Sequence, residues 1–351
     1  MEKERIDWID LAKGFGMLLV IFAHVGQFSI ISFFIVSFHM PFFFLISGYT
    51  FSNKKYPNFT AFVKKRIKTL IIPYLCFSLL GYLFLLYKCN FFSECPYSLV
   101  TPIPGAFLAI RASHWTDSNP TLWFVACLFT TEVLFFLILN FFKKNNIIIL
   151  ILFTFSLIGY AYTKYFIRPL PWSIDAACIA ILFYGTGFIV KENRILDKVN
   201  GIIFFLLLIV GITAALNNSQ VDMFASLYGN YFLFVIAAFS NSIAFLWLSK
   251  FLNKSYVLQY IGKNSLIYLA LHQSIILFFI NQALHSNLLK GVNQQLTSMY
   301  PALPVFYTLI TVVVTIPIIF IINNYLPFLL GKTSATNVSK SDIALTLTKE
   351  E

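Results

Sequence analysis

Long stretches of hydrophobic residues, separated by short polar intervals, run along almost the whole chain. Ten of these stretches approach the roughly 20 residues that a helix needs to cross the hydrocarbon core of a bilayer. The predicted spans lie at residues 11–29, 31–51, 68–87, 120–141, 146–163, 171–190, 201–217, 229–249, 264–284 and 302–325. The pattern predicts an all-α, polytopic transmembrane bundle of about ten spans. It assigns the bundle to residues 1–331 and predicts a polar, disordered tail at residues 332–351.

Composition agrees with a membrane protein and excludes an ordinary soluble domain. Of the 351 residues, 59% are hydrophobic and 11% are charged, whereas roughly 25% of a soluble domain is charged. The first apolar run leads almost directly into the second and lacks a small-residue cleavage site. It therefore predicts a span rather than a cleaved signal peptide.

Positive charges are distributed unequally between the two faces of the predicted bundle. With both termini in the cytoplasm, twenty of the 25 Lys and Arg residues fall on the cytoplasmic side and five on the outer side. This excess is the positive-inside distribution of membrane proteins, so we expect both termini to be cytoplasmic. Topology thereby explains the net charge of +11, and we do not expect nucleic acid as a partner.

The first predicted span carries polar side chains along a single stripe. In the segment IDLAKGFGMLLVIFAH (9–24), Asp10 and Lys13 are three residues apart, which allows them to pair on a helix. The eleven positions from Lys13 to His24 make about three whole turns, so the histidine lies above the lysine on the same side. We expect this stripe to face the protein interior or a water-filled cavity, because ionisable groups are costly in lipid.

Four more ionisable residues fall inside predicted spans, namely His39, Glu132, Asp175 and His272. A hydrogen bond between helices is one explanation for each of them. His24 and His39 are expected at similar depth in the outer half of the membrane. Pro41 should bend the helix that carries His39 and help to open a cavity. With His272 about halfway along the ninth span, three neutral imidazoles can form a proton-handling site.

A basic cluster, KKRIK, is predicted at the cytoplasmic mouth of the third span. It contains Lys64, Lys65, Arg66 and Lys68. The positive-inside rule alone explains such a cluster. Several cations beside a helix N-terminus also suit phosphate groups, and an arginine can bind phosphate through two donors. The cluster is therefore a candidate anion site.

The outer loop at 88–119 is the longest connection between predicted spans, and long loops are often functional. Groups that could hold a sugar lie in this loop and at the outer ends of spans four and six: His114, Trp115, Asp117, Trp123, Trp172 and Asp175. Anchoring at the membrane interface is the alternative for the tryptophans. Cys89 and Cys95 share the loop, which leaves a disulfide between them open, and no zinc-binding spacing is present.

Two classes of function fit these residues. A base in the outer half, an anion site at the inner mouth and a polar stripe between them suit a reaction with a cytoplasmic donor and an external acceptor. A proton-coupled carrier of a small anion or glycan precursor fits nearly as well, although the sequence shows no inverted repeat and no paired broken helices. A scaffold subunit of a polysaccharide export machine would have little use for the polar stripe.

Several segments together resemble the acyltransferase-3 family of integral membrane acyltransferases, in particular its branch of fucose-4-O-acetylase-like sugar acetyltransferases. The similarity covers about residues 5–328 and includes FHMPFFFLISGY, KKRIKTLIIPY, LWFVACLF, PWSIDAA and YIGKNSLIYLALH. The family's first span has an arginine, ten residues and then a histidine. Here Lys13 and His24 occupy those positions, and Asp10 matches the acid that precedes them. Lys13 departs from the family pattern, which has an arginine at this position. Unlike arginine, lysine cannot bind a partner through a bidentate fork.

The resemblance implies a function and roles for the candidate residues. It implies acetyl-CoA as the cytoplasmic acyl donor, a hydroxyl of a cell-surface or envelope glycan as the acceptor, and a multi-pass protein of the bacterial inner membrane. It implies no metal and leaves a homo-oligomer open. The catalytic group is expected to comprise His24, His39, Asp10 and Lys13. The coenzyme A phosphates are expected on Lys64, Lys65, Arg66 and Lys68. The acceptor site is expected to comprise Trp123, His114, Trp115, Trp172, Asp175 and His272.

Overall fold

The computed structural model shows a bundle of helices and describes residues 6–25, 30–95, 98–111, 118–166, 168–285 and 303–332. Within these ranges, nine helical segments are long and apolar enough to cross a membrane. The predicted span at 201–217 corresponds to a shorter apolar helix of 16 residues, Gly201–Leu216. The predicted all-α polytopic bundle is confirmed, whereas the cytoplasmic location of the termini stays a prediction.

Fifteen α-helices build the described part of the chain. In chain order they are α1 (Asp7–Val25), α2 (Ile30–Val36), α3 (His39–Thr50), α4 (Phe59–Arg66), α5 (Ile72–Phe92), α6 (Pro102–Leu108), α7 (Trp123–Phe141), α8 (Asn145–Tyr165), α9 (Ile174–Glu192), α10 (Gly201–Leu216), α11 (Tyr231–Leu252), α12 (Tyr256–Lys263), α13 (Ser265–Leu271), α14 (Leu277–His285) and α15 (Leu303–Tyr325). Two π-helical segments, Ile67–Ile71 and His272–Ile276, join α4 to α5 and α13 to α14.

The second span is broken rather than bent. A turn at Ser37 and Phe38 separates α2 from α3, and Phe38 has φ −140° and ψ −17°, outside the helical region. Pro41 lies in the first turn of α3, where a residue without an N–H group is tolerated. The predicted disturbance therefore occurs just before Pro41. Irregular backbone at membrane depth is tolerated where it lines a cavity, and His39 begins α3 at this break.

Glycines allow α1 and α12 to pack with their backbones in close contact. A Cβ atom added to Gly14 would lie 1.8 Å from the carbonyl oxygen of Leu258, and one added to Gly262 would lie 1.8 Å from that of Asp10. Small residues at such positions let membrane helices approach closely. From the sequence, the segment of α12 is expected only as a connection. In the structure this helix holds the end of α1 that carries Asp10 and Lys13.

Contacts between loops agree with the predicted arrangement of the segments relative to the membrane. Arg111, from the predicted outer loop before α7, pairs with Asp175 at the predicted outer end of α9. Lys250 and Asp197, from two predicted cytoplasmic connections, pair with each other. Each pair thus joins segments that the charge distribution assigns to one side. We call the side of the first pair the outer side and the side of the second pair the inner side.

Candidate functional site

Two histidines from different helices meet in the interior of the bundle. The ring centroids of His24, near the end of α1, and His272, at the start of the second π segment, are 5.1 Å apart. His39, the first residue of α3, lines the same cavity as His24. The structure therefore brings together the three histidines that the sequence predicts within the spans.

The cavity at these histidines, the outer cavity, has a volume of about 690 Å³. Residues of α1, the broken second span, α7 and the connection between α10 and α11 line it: Ala23, His24, Ile30, Ser32, Phe33, Val36, His39, Met40, Trp123, Gln220, Asp222, Met223 and Phe224. Its wall is mostly apolar and aromatic, with few polar groups, as is usual for a site that binds an organic molecule.

Backbone contacts fix the ring nitrogens of two histidines. Nδ1 of His39 lies 3.0 Å from the carbonyl oxygen of Ile35, and Nδ1 of His272 lies 2.9 Å from that of Tyr268. Because a carbonyl oxygen can only accept, we assign the hydrogen to Nδ1 in both rings. In a neutral ring Nε2 then carries a lone pair. Both histidines therefore offer an acceptor, and not a donor, on their distal nitrogen.

The π segment at His272 is supported by side chains from the segment that precedes α7. Thr121 donates to the carbonyl oxygen of Leu269 at 2.7 Å, and Asn119 donates to that of Ala270 at 2.9 Å. These two carbonyls lie in the turn just before the bonding pattern changes from α to π. Isolated π turns are frequent at functional sites, and here the side-chain donors hold one in place.

A second, inner cavity of about 230 Å³ lies toward the predicted cytoplasmic side. Its lining comprises Lys13, Met17, Val20, Met40, Phe43, Ile46, Ser47, Leu70, Phe124, Val125, Leu128, Ser265, Leu266 and Leu269. Met40 lines both cavities. Lys13 Nζ is 3.8 Å from Asp10 Oδ1, which confirms the predicted i,i+3 pair. The stripe on α1 thus connects an inner cavity at Lys13 with an outer cavity at His24.

The basic cluster lies within a helix and not at its N-terminus. The helix begins at Phe59, and the side chain of Asn58 caps its first turn by accepting from Ala61 N–H. The prediction that the cluster lies beside a helix N-terminus is therefore wrong. Exposed cations remain at Lys64, Lys65 and Lys68. The π segment that includes Lys68 also contains Leu70, which lines the inner cavity.

Arg66 differs from its lysine neighbours because it points into the bundle. Its Nε lies 2.6 Å from Oε2 of Glu132, which is 4% exposed. Tyr184 donates to Oε1 of the same carboxylate at 3.3 Å, and the guanidinium lies over the rings of Tyr56 and Phe62. Glu132 thus has a partner within the fold. Binding of phosphate by Arg66 stays a prediction, and the structure gives this residue a structural partner as well.

The predicted acceptor residues do not all lie together. Trp123 lines the outer cavity. Trp172 instead packs against Tyr74 and Phe129, and Asp175 is buried in a pair with Arg111; neither lines that cavity. The neighbourhood that the prediction assumed for α7 and α9 is confirmed. His114, Trp115 and Asp117 lie outside the described residues.

Sequence reasoning missed the connection between α10 and α11, which supplies Gln220, Asp222, Met223 and Phe224 to the outer cavity. Burial raises the pKa of Asp222, while the N–H groups of Ala225 and Phe224 and the charge of Arg111 act in the opposite direction. An Asp in a short polar connection is typical of ordinary turns, so the sequence carried no signal that distinguished this one.

Two expectations about cysteines and metals can be compared with the described residues. Cys89 and Cys95 form a disulfide, which the sequence had left open. Among the described residues, no group of three or more His, Cys, Asp or Glu side chains could hold a metal ion.

Comparison with protein families matches residues 6–323 to the acyltransferase-3 family, which is described as an acyltransferase domain. Comparisons with curated proteins and with solved structures gave no significant match. The matched region contains both cavities, the three histidines and the basic cluster. The chain therefore belongs to the acyltransferase-3 family and is a multi-pass membrane acyltransferase.

Proposed function

We propose that the protein is an O-acetyltransferase of the bacterial inner membrane that moves an acetyl group from cytoplasmic acetyl-CoA to a hydroxyl of a cell-surface or envelope glycan. The observation that carries this proposal is the pair of cavities that share Met40 in their linings. One cavity contains Lys13 on the predicted cytoplasmic side, and the other contains His24 on the predicted outer side. Such an arrangement suits a donor that enters from the inner side and an acceptor that reaches His24 from the outer side.

The donor is proposed to bind at the inner side. Coenzyme A carries phosphates, and the exposed ammonium groups of Lys64, Lys65 and Lys68 suit them. Leu70, which follows closely along the chain, lines the inner cavity, so the thioester arm could pass from the cluster into that cavity. The arm would then run along the stripe of α1 from Lys13 toward His24.

Two routes for acyl transfer are consistent with a neutral His24. In the first, His24 removes the proton of the acceptor hydroxyl, whose oxygen bonds to the acetyl carbon while the carbon–sulfur bond breaks. The proton then passes to the thiolate of coenzyme A. In the second, a ring nitrogen of His24 takes the acetyl group from sulfur, and the hydroxyl oxygen takes it from nitrogen. The thiolate again receives the hydroxyl proton.

The other two histidines are proposed to act through His24. Since Nε2 of His39 and of His272 carries a lone pair in the neutral rings, either can accept an N–H from the His24 ring and orient it. Stabilising an oxyanion would instead require an N–H on Nε2. The contacts of His39 with Ile35 therefore favour an orienting role for His39 over an oxyanion role.

Acetylation of the glycan acceptor can be tested in one comparison. Mass spectrometry of the surface glycan from cells with and without the gene should show a loss of one acetyl group per modified repeat when the gene is deleted. Glycan of unchanged length but lower acetyl content supports the proposal. A glycan that keeps every acetyl group after deletion would reject it. Loss of the glycan itself would instead favour the carrier that the sequence left open.

A further inference from the structure

The connection between α10 and α11 forms a compact turn in the wall of the outer cavity. Asp222 and Leu227 exchange two backbone hydrogen bonds, of 2.7 and 2.8 Å. Within the turn, Oδ1 of Asp222 accepts from Phe224 N–H at 2.8 Å and from Ala225 N–H at 3.3 Å. We name residues 219–229 the outer turn. Its backbone is organised by the carboxylate that also lines the cavity.

A fully buried arginine anchors the outer turn to the rest of the bundle. Both Nη atoms of Arg111 donate to the carboxylate of Asp175, at 2.8 and 2.6 Å. The same guanidinium donates to Ser226 Oγ at 2.5 Å and to the carbonyl oxygen of Met223 at 3.3 Å. Arg111 is 0% exposed and Asp175 is 2% exposed. The pair therefore fixes the turn against α9, and the side chains of the turn are held in place beside the cavity.

The side chains that the outer turn presents have the chemistry of a carbohydrate site. Phe224 and Trp123 lie with ring centroids 6.2 Å apart and provide an apolar surface for the face of a sugar ring. Gln220 and Asp222 provide an amide and a carboxylate that can bind hydroxyl groups. Among the described residues that line the outer cavity, Asp222 is the one with a formal charge at neutral pH, since the two histidines are taken as neutral.

We propose, resting on the function proposed above, that the outer turn recognises the acceptor. The carboxylate of Asp222 accepts hydrogen bonds from hydroxyls of the sugar residue that reacts at His24, and the amide of Gln220 both accepts from and donates to them. Asp222 also selects a sugar residue without an acidic group, because it is the charged group among the described lining residues, and the nearby Arg111 is buried and already paired with Asp175. The acceptor site is thus assigned to the outer turn and Trp123, and not to Trp172 and Asp175.

Acceptor kinetics provide the first test. Membrane vesicles that contain the full chain are supplied with radiolabelled acetyl-CoA and with envelope glycan from a strain that lacks the gene. Asp222→Asn keeps an oxygen that can accept from Phe224 and Ala225, so the turn should persist. We expect this variant, and Gln220→Ala, to raise the half-saturating glycan concentration by about tenfold. The half-saturating acetyl-CoA concentration should not change.

Asp197→Asn is the matched control, because it removes an exposed carboxylate that pairs with Lys250 at the predicted cytoplasmic side. It should leave acceptor kinetics unchanged. If Asp222→Asn labels glycan with the kinetics of the unmodified protein at equal protein amount, the inference is wrong while the proposed function stands. If the unmodified protein labels no glycan, the proposed function itself is wrong.

A cysteine-modification experiment tests the charge of the outer cavity and does not require enzymatic activity. The free cysteines Cys76, Cys127 and Cys178 are first replaced by alanine, and Ile30, which is exposed and lines the outer cavity, is changed to cysteine. A cationic methanethiosulfonate should modify this cysteine faster than an anionic one. Adding Asp222→Asn should lower that rate ratio several-fold. An unchanged ratio would overturn the claim that Asp222 sets the charge of the cavity.

Discussion

Arg66 Nε lies 2.6 Å from Oε2 of Glu132 in the interior of the bundle. From the sequence, Arg66 is a candidate phosphate ligand, and Glu132 is an isolated acid within a span. The structure shows that they form one ion pair, with Tyr184 as a further donor to the carboxylate. Burying the Glu132 carboxylate away from water is unfavourable, and its ion pair with Arg66 compensates for that cost.

Breaking this pair should destabilise the fold. Arg66→Ala leaves a buried carboxylate without its cation, and such losses typically cost about 3–5 kcal/mol. We expect a clear decrease in the thermal unfolding temperature of the purified protein in detergent. The exposed neighbour Lys65→Ala is the control and should unfold at the temperature of the unmodified protein. Equal unfolding temperatures for Arg66→Ala and Lys65→Ala would show that the pair contributes little.

A double variant separates a structural role of Arg66 from a role in donor binding. Replacing both partners with apolar residues, as in Arg66→Met with Glu132→Leu, often restores stability because no unpaired charge remains. If Arg66 acts only through Glu132, this double variant should recover both stability and the half-saturating concentration of acetyl-CoA. Recovered stability with a persistently higher half-saturating concentration would show that Arg66 also contacts the donor.

The exposed lysines of the basic cluster are predicted to bind the phosphates of the donor, acetyl-CoA. Lys65→Ala should raise the apparent KM for acetyl-CoA about threefold to tenfold, the effect of one charge-assisted contact at an exposed site. The increase should shrink at high salt, because screening weakens exposed charge pairs. Lys144→Ala removes an exposed charge from another predicted cytoplasmic connection and serves as the control. Identical donor kinetics for both variants would leave the cluster with a topological role alone.

Trp123 is predicted to stack against a sugar ring of the acceptor glycan. Trp123→Ala should raise the apparent KM for the glycan about threefold to tenfold, because an aromatic contact with the acceptor is lost. The KM for acetyl-CoA should change little. Trp247→Ala also removes a tryptophan from a span, but Trp247 packs against Phe204 and Phe251, away from the outer cavity. Parallel effects of the two variants would indicate general destabilisation in place of acceptor binding.

His39 and His272 can be tested with a substitution that mimics one ring nitrogen. The side-chain N–H of asparagine occupies nearly the position of Nδ1, so His39→Asn and His272→Asn should keep the bond to the backbone carbonyl and remove Nε2. If these histidines orient His24, transfer should slow by on the order of 10-fold to 100-fold while the protein unfolds at its usual temperature. Full activity in both variants would restrict their role to packing.

The sequence predicted the features that depend on local periodicity. The apolar runs gave nine helices of membrane-spanning length and the shorter α10 within the described ranges. Helical spacing correctly predicted the pair of Lys13 with Asp10 and the stripe that ends at His24. Counting residues in two antiparallel spans predicts His24 and His39 at similar depth, and both line the outer cavity. These properties follow from the chain's own geometry and therefore need no knowledge of which helices are neighbours.

The features that the sequence did not predict depend on contacts between distant segments. Arg111 and Asp175 are 64 positions apart, and nothing local marks them as partners. Arg111 also bonds to Met223 and Ser226 and so helps to hold the outer turn beside the cavity. From the sequence, Asp175 is a candidate for acceptor binding, whereas the structure shows its carboxylate paired with Arg111. A buried acid in a membrane span indicates that a partner exists but does not identify it.

The most direct test of the account concerns His24. His24→Ala should reduce transfer of labelled acetyl from acetyl-CoA to the glycan at least about 100-fold, because both proposed routes use its ring. The measurement is made in membrane vesicles at equal amounts of inserted protein, with His24→Ala compared to the unmodified chain. We expect near-complete loss of labelled glycan with normal insertion and normal thermal unfolding. A His24→Ala protein that acetylates the glycan at the unmodified rate would contradict this expectation.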